Sequence, residues 1–214
     1  MEIGRRERKK QQTRQLISDV ATRLFLERGF DAVTVAEVAK AADVAVQTVF
    51  NHFPTKEDLF FDETGWWAGP AQAIREAPAG QDPITTLEEQ YLTVVRGRLA
   101  SGHLATWREF SRTMTESQAL LARRRQIAEE MEQTIAAALL ERDPGLTSLR
   151  ARFAAAQFAA AQKVLEDELA RLMPADATEE ELTQANAELE RATAEVFDLV
   201  RRGWPATHGE DSRG

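Results

Sequence analysis

The chain of 214 residues contains no cysteine. It therefore has no disulfide framework, no thiolate metal site and no thiol nucleophile. Its three histidines, His52, His103 and His208, stand on separate segments, so no histidine cluster is expected to hold a metal. No apolar run approaches the roughly 20 residues that a membrane span needs. The basic start MEIGRRERKKQQ is followed by no apolar segment, so no secretory signal is expected, and a reducing cytoplasm is the simplest location. Glycine-rich phosphate loops, HExxH and GxSxG are missing. The many carboxylates read as solvated helix faces, and Glu179-Glu180-Glu181 as an acidic first turn favoured by the helix dipole. Neither an enzyme nor a cofactor is expected. Sustained period-2 alternation and Asn-Gly or Asp-Gly hairpin turns are also absent, which excludes an ordinary β fold.

What the chain does have is a divided charge. Its net value of −8 disfavours a nucleic-acid binder, but the distribution reverses that reading. Residues 1–14 carry six basic side chains against Glu2 and Glu7. Residues 1–56 carry ten basic against seven acidic, and the remainder seventeen against twenty-eight. A basic head on an acidic body fits a DNA-reading domain joined to one that does not touch DNA. Taken alone, the basic arm reads equally well as a solvated tail.

Alanine, leucine, glutamate and arginine dominate, and all favour helix. The pattern predicts an all-α chain of about nine helices. Thr13 is the expected cap of a first helix ending at Arg28, with Leu16, Ile17, Val20, Ala21, Leu24 and Phe25 as its apolar stripe and Gly29 as its stop. Thr34 with Glu37 forms a capping box for the second helix, which ends near Ala41 or Ala42. The third runs from about Ala45 to His52 and breaks at Phe53-Pro54. Thr55 with Asp58 caps a fourth, expected to continue through Trp66 and Trp67, with Gly69-Pro70 kinking or dividing that segment. Further caps are read at Thr85, Thr115 and Thr178, and stops at Asp143-Pro144-Gly145, Pro174 and Trp204-Pro205.

Residues 34–60, TVAEVAKAADVAVQTVFNHFPTKEDLF, lay out two short helices across a tight connection, then an aromatic–Pro–polar–Lys step into a third. This suits a helix-turn-helix, with one helix in the major groove and its flanks on phosphates. Val35, Val38, Ala39, Val44, Val49 and Phe53 are expected to close a small core over Leu24, Phe25 and Phe30. Outside that core stand Val46, Gln47, Thr48, Phe50 and Asn51. The Gln47 amide suits bidentate pairing with adenine, while Val46, the Thr48 methyl and Phe50 suit thymine methyls or sugars. The bland alternative is a solvated polar face. Thr34 sits at a helix N-terminus that welcomes a phosphate. Lys56 opposes the dipole of its own helix, so a phosphate partner is expected there. His52 is read either as a phosphate donor or as a packing histidine.

This stretch resembles the DNA-binding domain of the tetracycline-repressor (TetR) family of transcriptional regulators. The matching run begins T34-V-A-E-V38-A39, passes through V44 and T48-V49, and closes F50-N-H52-F53-P-T-K56-E-D-L59. Asp43 stands where the family usually has Gly, Ala45 where a small Ser or Thr caps the recognition helix, Gln47 where Gly or Pro is frequent, and Phe50 where a Tyr hydroxyl reaches a phosphate. By resemblance, Thr34, Thr48, His52 and Lys56 would hold the backbone or bases, and Val46, Gln47 and Asn51 would tune sequence choice. The implied plan is a helix-turn-helix domain at 1–58, a ligand-binding and dimerisation domain at 59–205, and a flexible tail at 206–214.

The resemblance implies a homodimer that binds a palindromic operator in double-stranded DNA and is released by a small-molecule effector. Activation instead of repression is one alternative; an all-α enzyme, and an acidic helical dimer with a basic tail that does not bind DNA, are the others. The last two helices are the expected interface. They offer Ala154 to Ala156 and Ala159 to Ala161 on one, and Leu182, Ala185, Leu189, Ala192, Val196 and Leu199 on the other. Expected ligand contacts are Trp66, Trp67, Trp107, Phe110, Met114, Gln157 and Phe158, walls that suit an apolar or aromatic molecule.

Overall fold

The computed structural model describes residues 4–62, 69–100, 104–172 and 179–204. Among the described residues there are ten α-helices and no strand. They are α1 (Arg5–Arg28), α2 (Val35–Ala41), α3 (Val46–His52), α4 (Lys56–Phe61), α5 (Gly69–Glu76), α6 (Pro83–Ala100), α7 (Leu104–Glu116), α8 (Gln118–Arg142), α9 (Ser148–Leu172) and α10 (Glu179–Gly203). The all-α class expected from composition holds. The helix count exceeds nine because Gly69-Pro70 opens a helix of its own, as proline at a first-turn position allows. Trp66 and Trp67 lie outside the described residues, and so does Thr178. None of the helices described is long and apolar enough to cross a membrane.

Two of the expected helix starts are fully formed. The Thr34 hydroxyl accepts from the Glu37 N–H at 3.2 Å, and the Glu37 carboxylate accepts from the Thr34 N–H at 2.8 Å. Thr55 and Asp58 repeat this reciprocal pattern at 3.1 Å each way. Three others are corrected. Helix α1 begins eight residues before Thr13, whose hydroxyl donates to the Lys9 carbonyl inside the helix. The Arg/Lys/Gln-rich arm has high helix propensity, and nothing in it stops the helix. Helix α6 is capped by Asp82, which accepts from the Thr85 N–H at 2.8 Å, with Pro83 at the first position. Thr115 lies inside α7, donating to the Arg112 carbonyl at 2.9 Å, and Ser117 occupies the junction that opens α8.

The chain divides into two compact units, residues 1–65 with 106–125, and residues 66–105 with 126–214. In the first unit, Ile17, Ala21, Phe25, Val38, Val49, Phe53 and Leu59 are buried together with Phe30 and Val33. Gly29, at φ 83°, ends α1, and its N–H caps Phe25. Phe110 from α7 stacks on Phe60 with ring centroids 4.1 Å apart, and Phe60 in turn meets Phe25 and Phe30. Two polar ties reinforce this. Ser117 donates to Asp31 at 2.9 Å, and Arg123 to Asp58 at 3.0 Å. The second oxygen of Asp58 is the one that caps α4. These contacts explain why 106–125 belongs with the N-terminal helices.

In the second unit, α9 and α10 pack on each other through small and apolar residues. Ala151, Ala154, Ala155, Phe158, Ala161, Leu165 and Leu169 are buried on α9, and Ala185, Leu189, Phe197 and Val200 on α10. Phe158, Phe197 and Tyr91 form a ring cluster at about 6 Å spacing. Arg142 ends α8 and donates to the carbonyls of Ile74 (3.0 Å), Ala77 (2.8 Å), Pro78 and Gln81 (3.2 Å). It thereby fixes the connection between α5 and α6.

Candidate nucleic-acid interface

Helix α3 buries Val49 and turns the rest of its surface outward. Val46 and Phe50 stand one turn apart and are 41% and 42% exposed, high for large apolar side chains. Beside them stand Gln47 and Asn51, also one turn apart and exposed. The Gln47 Nε2 donates to Asn51 Oδ1 at 3.2 Å. The outer face is thus an apolar column next to a carboxamide column. Thymine methyls suit the first and adenine edges the second. Thr48 is half-buried on the flank.

The approach to α3 carries two departures from ideal helix entry. Asp43 has φ 52°, the left-handed backbone that favours glycine. The turn therefore keeps its shape despite the side chain. Ala45 occupies the N-cap with extended φ and ψ of −68° and 146° and offers no side-chain acceptor. Of the three short helices α2, α3 and α4, α3 is the one without a side-chain cap. Its first N–H groups are left to solvent or to an anion.

The remaining expected DNA contacts have intramolecular duties. Thr34 is exposed, but its hydroxyl also donates to Glu37 at 2.8 Å. Glu37 is drawn down to about 2 by the Thr34 N–H first, then by Arg28 and the Thr34 hydroxyl. Half-buried Lys56 donates from Nζ to the Phe30 carbonyl at 2.7 Å, 4.1 Å from the centre of the Phe30 ring. Burial pushes its pKa down. Position against the helix dipole is thus explained in part by a tertiary contact that sequence spacing does not reveal. His52 is half-buried, and burial, then Arg14 and Lys10, lower its pKa.

Arg14 is the residue that the charge pattern alone does not single out. Its guanidinium lies 4.2 Å from the centre of the Phe53 ring, donates to the His52 carbonyl at 2.5 Å and pairs with Asp62. It therefore ties α1 to the end of α3 and to the end of α4. Six basic residues in the arm gave no hint of which one turns inward.

The expected ligand contacts do not all fall in one unit. Phe110 belongs to the ring cluster of the first unit, and Met114 is half-buried on the same helix. Phe158 is fully buried against Phe197 in the second. Gln157 lies against Gly203, where a Cβ would come within 2.7 Å of its Nε2. Trp66 and Trp67, and the side chain of Trp107, lie outside the described residues. Missed by the sequence reading is a cavity between α6 and α9, lined by Gln90, Tyr91, Val95, Gln162, Glu166 and Leu169. The available signal was Gln162 itself, a polar residue inside the apolar stripe Phe158, Ala161, Leu165, Leu169.

The expected interface stripe divides. Ala154, Ala155, Ala161, Ala185 and Leu189 are buried within the chain, whereas Leu199 is 59% exposed; Leu149 (76%) and Phe153 (58%), outside that stripe, are exposed too. Apolar side chains that exposed on helix faces suit a partner surface.

A family model described as bacterial regulatory proteins, tetR family, matches residues 17–62, which span α1 from Ile17 through α4. HTH-type transcriptional regulator TcmR of Streptomyces glaucescens is 31% identical over 181 residues, covering 77% of this chain and 76% of its own length. HTH-type transcriptional regulator AcrR of Shigella flexneri is 35% identical over 88 residues, 40% of this chain and 41% of its own. Among solved structures, the TetR family repressor AlkX from Dietzia sp. superposes with a TM-score of 0.53 at 20% identity. The match covers 89% of this chain and 98% of that one, a likeness of fold. The short helices that present α3, and a relative matching over three-quarters of both chains, agree: the chain belongs to the tetR family of bacterial regulatory proteins and is a DNA-binding transcriptional regulator.

Proposed function

We propose that the protein is a homodimeric repressor that reads a palindromic operator and is released by a small-molecule effector. The observation that carries this reading is the outer face of α3, where exposed Val46 and Phe50 stand beside the hydrogen-bonded Gln47 and Asn51. Gln47 and Asn51 read base edges, Val46 and Phe50 pack on methyls or sugars, and Thr34, Thr48, His52 and Lys56 contact the backbone. Residues 1–58 serve as the DNA-binding domain and 59–205 as the ligand-binding and dimerisation domain. Leu149, Phe153 and Leu199 on α9 and α10 support a two-fold interface through the last two helices. Two heads about a helical turn apart then meet two half-sites. Lack of cysteine fits a cytoplasmic regulator.

Fluorescence anisotropy on duplexes tiled across the DNA flanking its own gene, over a salt series with scrambled competitor, tests this. Saturable binding to one near-palindromic tile, with a log–log salt slope of several units, is expected. Gln47→Ala is expected to relax preference at one base pair per half-site. Equal loss on specific and scrambled DNA would remove Gln47 from base reading.

A further inference from the structure

The cavity between α6 and α9 is lined by two buried carbonyl acceptors that have no donor. Gln162 is 6% exposed, and its Oε1 is buried with no hydrogen-bond donor in the protein. The Oε1 of Gln90 is in the same condition. Both residues line the cavity, together with the Tyr91 hydroxyl and the Glu166 carboxylate, and no Lys, Arg or His is among its described lining residues. Val94, Val95 and Leu169 supply the apolar part of the wall. A buried acceptor without a donor costs on the order of 1–3 kcal/mol. Two in one cavity is a standing cost that a ligand bearing donors would remove. The space measures about 20 Å³, room for a single water-sized group. That size excludes a bulky ring at this point, and the acceptor set disfavours an anion. A protonated primary amine fits. Its head is water-sized and carries three N–H donors and a positive charge, and its carbon chain would lie outside the 20 Å³ space.

We infer that Gln90 and Gln162 form the head-group subsite for a primary alkylammonium ligand in the second unit. This rests on the reading of the protein as an effector-controlled regulator, and it names the effector's chemistry. The test is calorimetric titration of the full chain with hexylammonium, hexanol and hexanoate. Hexylammonium is expected to bind at least about tenfold more tightly than hexanol, and hexanoate not at all. Gln162→Leu and Gln90→Leu are expected to weaken hexylammonium binding by about tenfold or more while raising the melting temperature, because each removes an unpaired buried acceptor. A purely structural role for these amides predicts lower melting temperatures instead. Hexanol or hexanoate binding as tightly as the amine, or both variants retaining full affinity, would overturn the inference. So would the absence of amine binding, as when a water alone occupies the cavity. Operator binding by the same preparations separates the two readings. Intact operator recognition without amine preference overturns the subsite alone, whereas loss of operator recognition by the parent protein overturns the regulator reading.

Discussion

Replacing Lys56 by methionine separates two duties of one ammonium. Inside the protein, Nζ donates to the Phe30 carbonyl at 2.7 Å and lies over the Phe30 ring at 4.1 Å, with the Phe25 ring centre 5.9 Å away. A hydrogen bond from a charged donor contributes about 1.5–3 kcal/mol and an exposed cation–π contact about 0.5–1. Lys56 is half-buried, so water replaces part of both when the head group is removed. Burial also lowers its pKa, a sign that desolvation already offsets part of the gain. Methionine keeps an unbranched apolar stem against the two rings. The expected net loss is therefore near the lower end, about 1.5–2 kcal/mol, or a melting temperature lower by about 3–8 °C for a chain of this size. On DNA, the remaining N–H groups are free to meet a phosphate, so Lys56→Met is expected to weaken specific and scrambled duplexes alike and to reduce the salt slope by about one. Thermal unfolding reads the first duty and salt-dependent anisotropy the second. An unchanged melting temperature would refute the interior argument. An unchanged slope in a folded variant would refute the phosphate contact.

Ala45→Ser is expected to stabilise the chain by about 1 kcal/mol, read as a higher urea midpoint, because the uncapped start of α3 gains the acceptor that Thr34 and Thr55 give α2 and α4. No change would mean that solvent already satisfies those N–H groups. At Asp43, with φ 52°, glycine is expected to raise stability by up to about 1 kcal/mol and valine to lower it by more than about 1. Equal effects of the two would show that the left-handed turn carries no strain. Glu37 has its pKa depressed from 4.5 to about 2, so its contribution is present above pH 4.5 and is lost as pH falls from 4.5 toward 2. Urea midpoints across that window are expected to fall more steeply for the parent than for Glu37→Gln, and parallel profiles would contradict the capping-box account.

Local chemistry was legible in the sequence where one short-range rule acted without competition. Thr34-x-x-Glu37 and Thr55-x-x-Asp58 follow non-helical segments, and both close as capping boxes. The same spacing misled at Thr85 and Thr115, and Thr13, a lone hydroxyl ahead of the apolar stripe, misled likewise. In a chain so rich in Glu and Gln, a Thr three residues before an acidic or amide residue recurs inside helices. There the hydroxyl folds back onto a carbonyl, as Thr13 does onto Lys9 and Thr115 onto Arg112. Asp82-Pro83 was the stronger start because proline fixes its own φ and needs no N–H partner. Non-local partners were the illegible part. Arg14 and Lys56 look like surface cations in sequence, and only the packing of α1 against α4 turns them onto Phe53 and Phe30. The Gln90–Gln162 cavity spans two helices far apart in the chain. No periodicity within either one predicts the other.

The hydrogen bond between Gln47 and Asn51 has an evolutionary consequence. Two side chains that hold each other's orientation do not vary independently. Changing one releases the other from its rotamer, so a single substitution disturbs two positions of the outer face of α3 at once. Drift of such a regulator toward a new binding sequence would then proceed in coupled steps, with residues 47 and 51 inherited as a pair. Val46 and Phe50, which share no polar bond, are free to change singly.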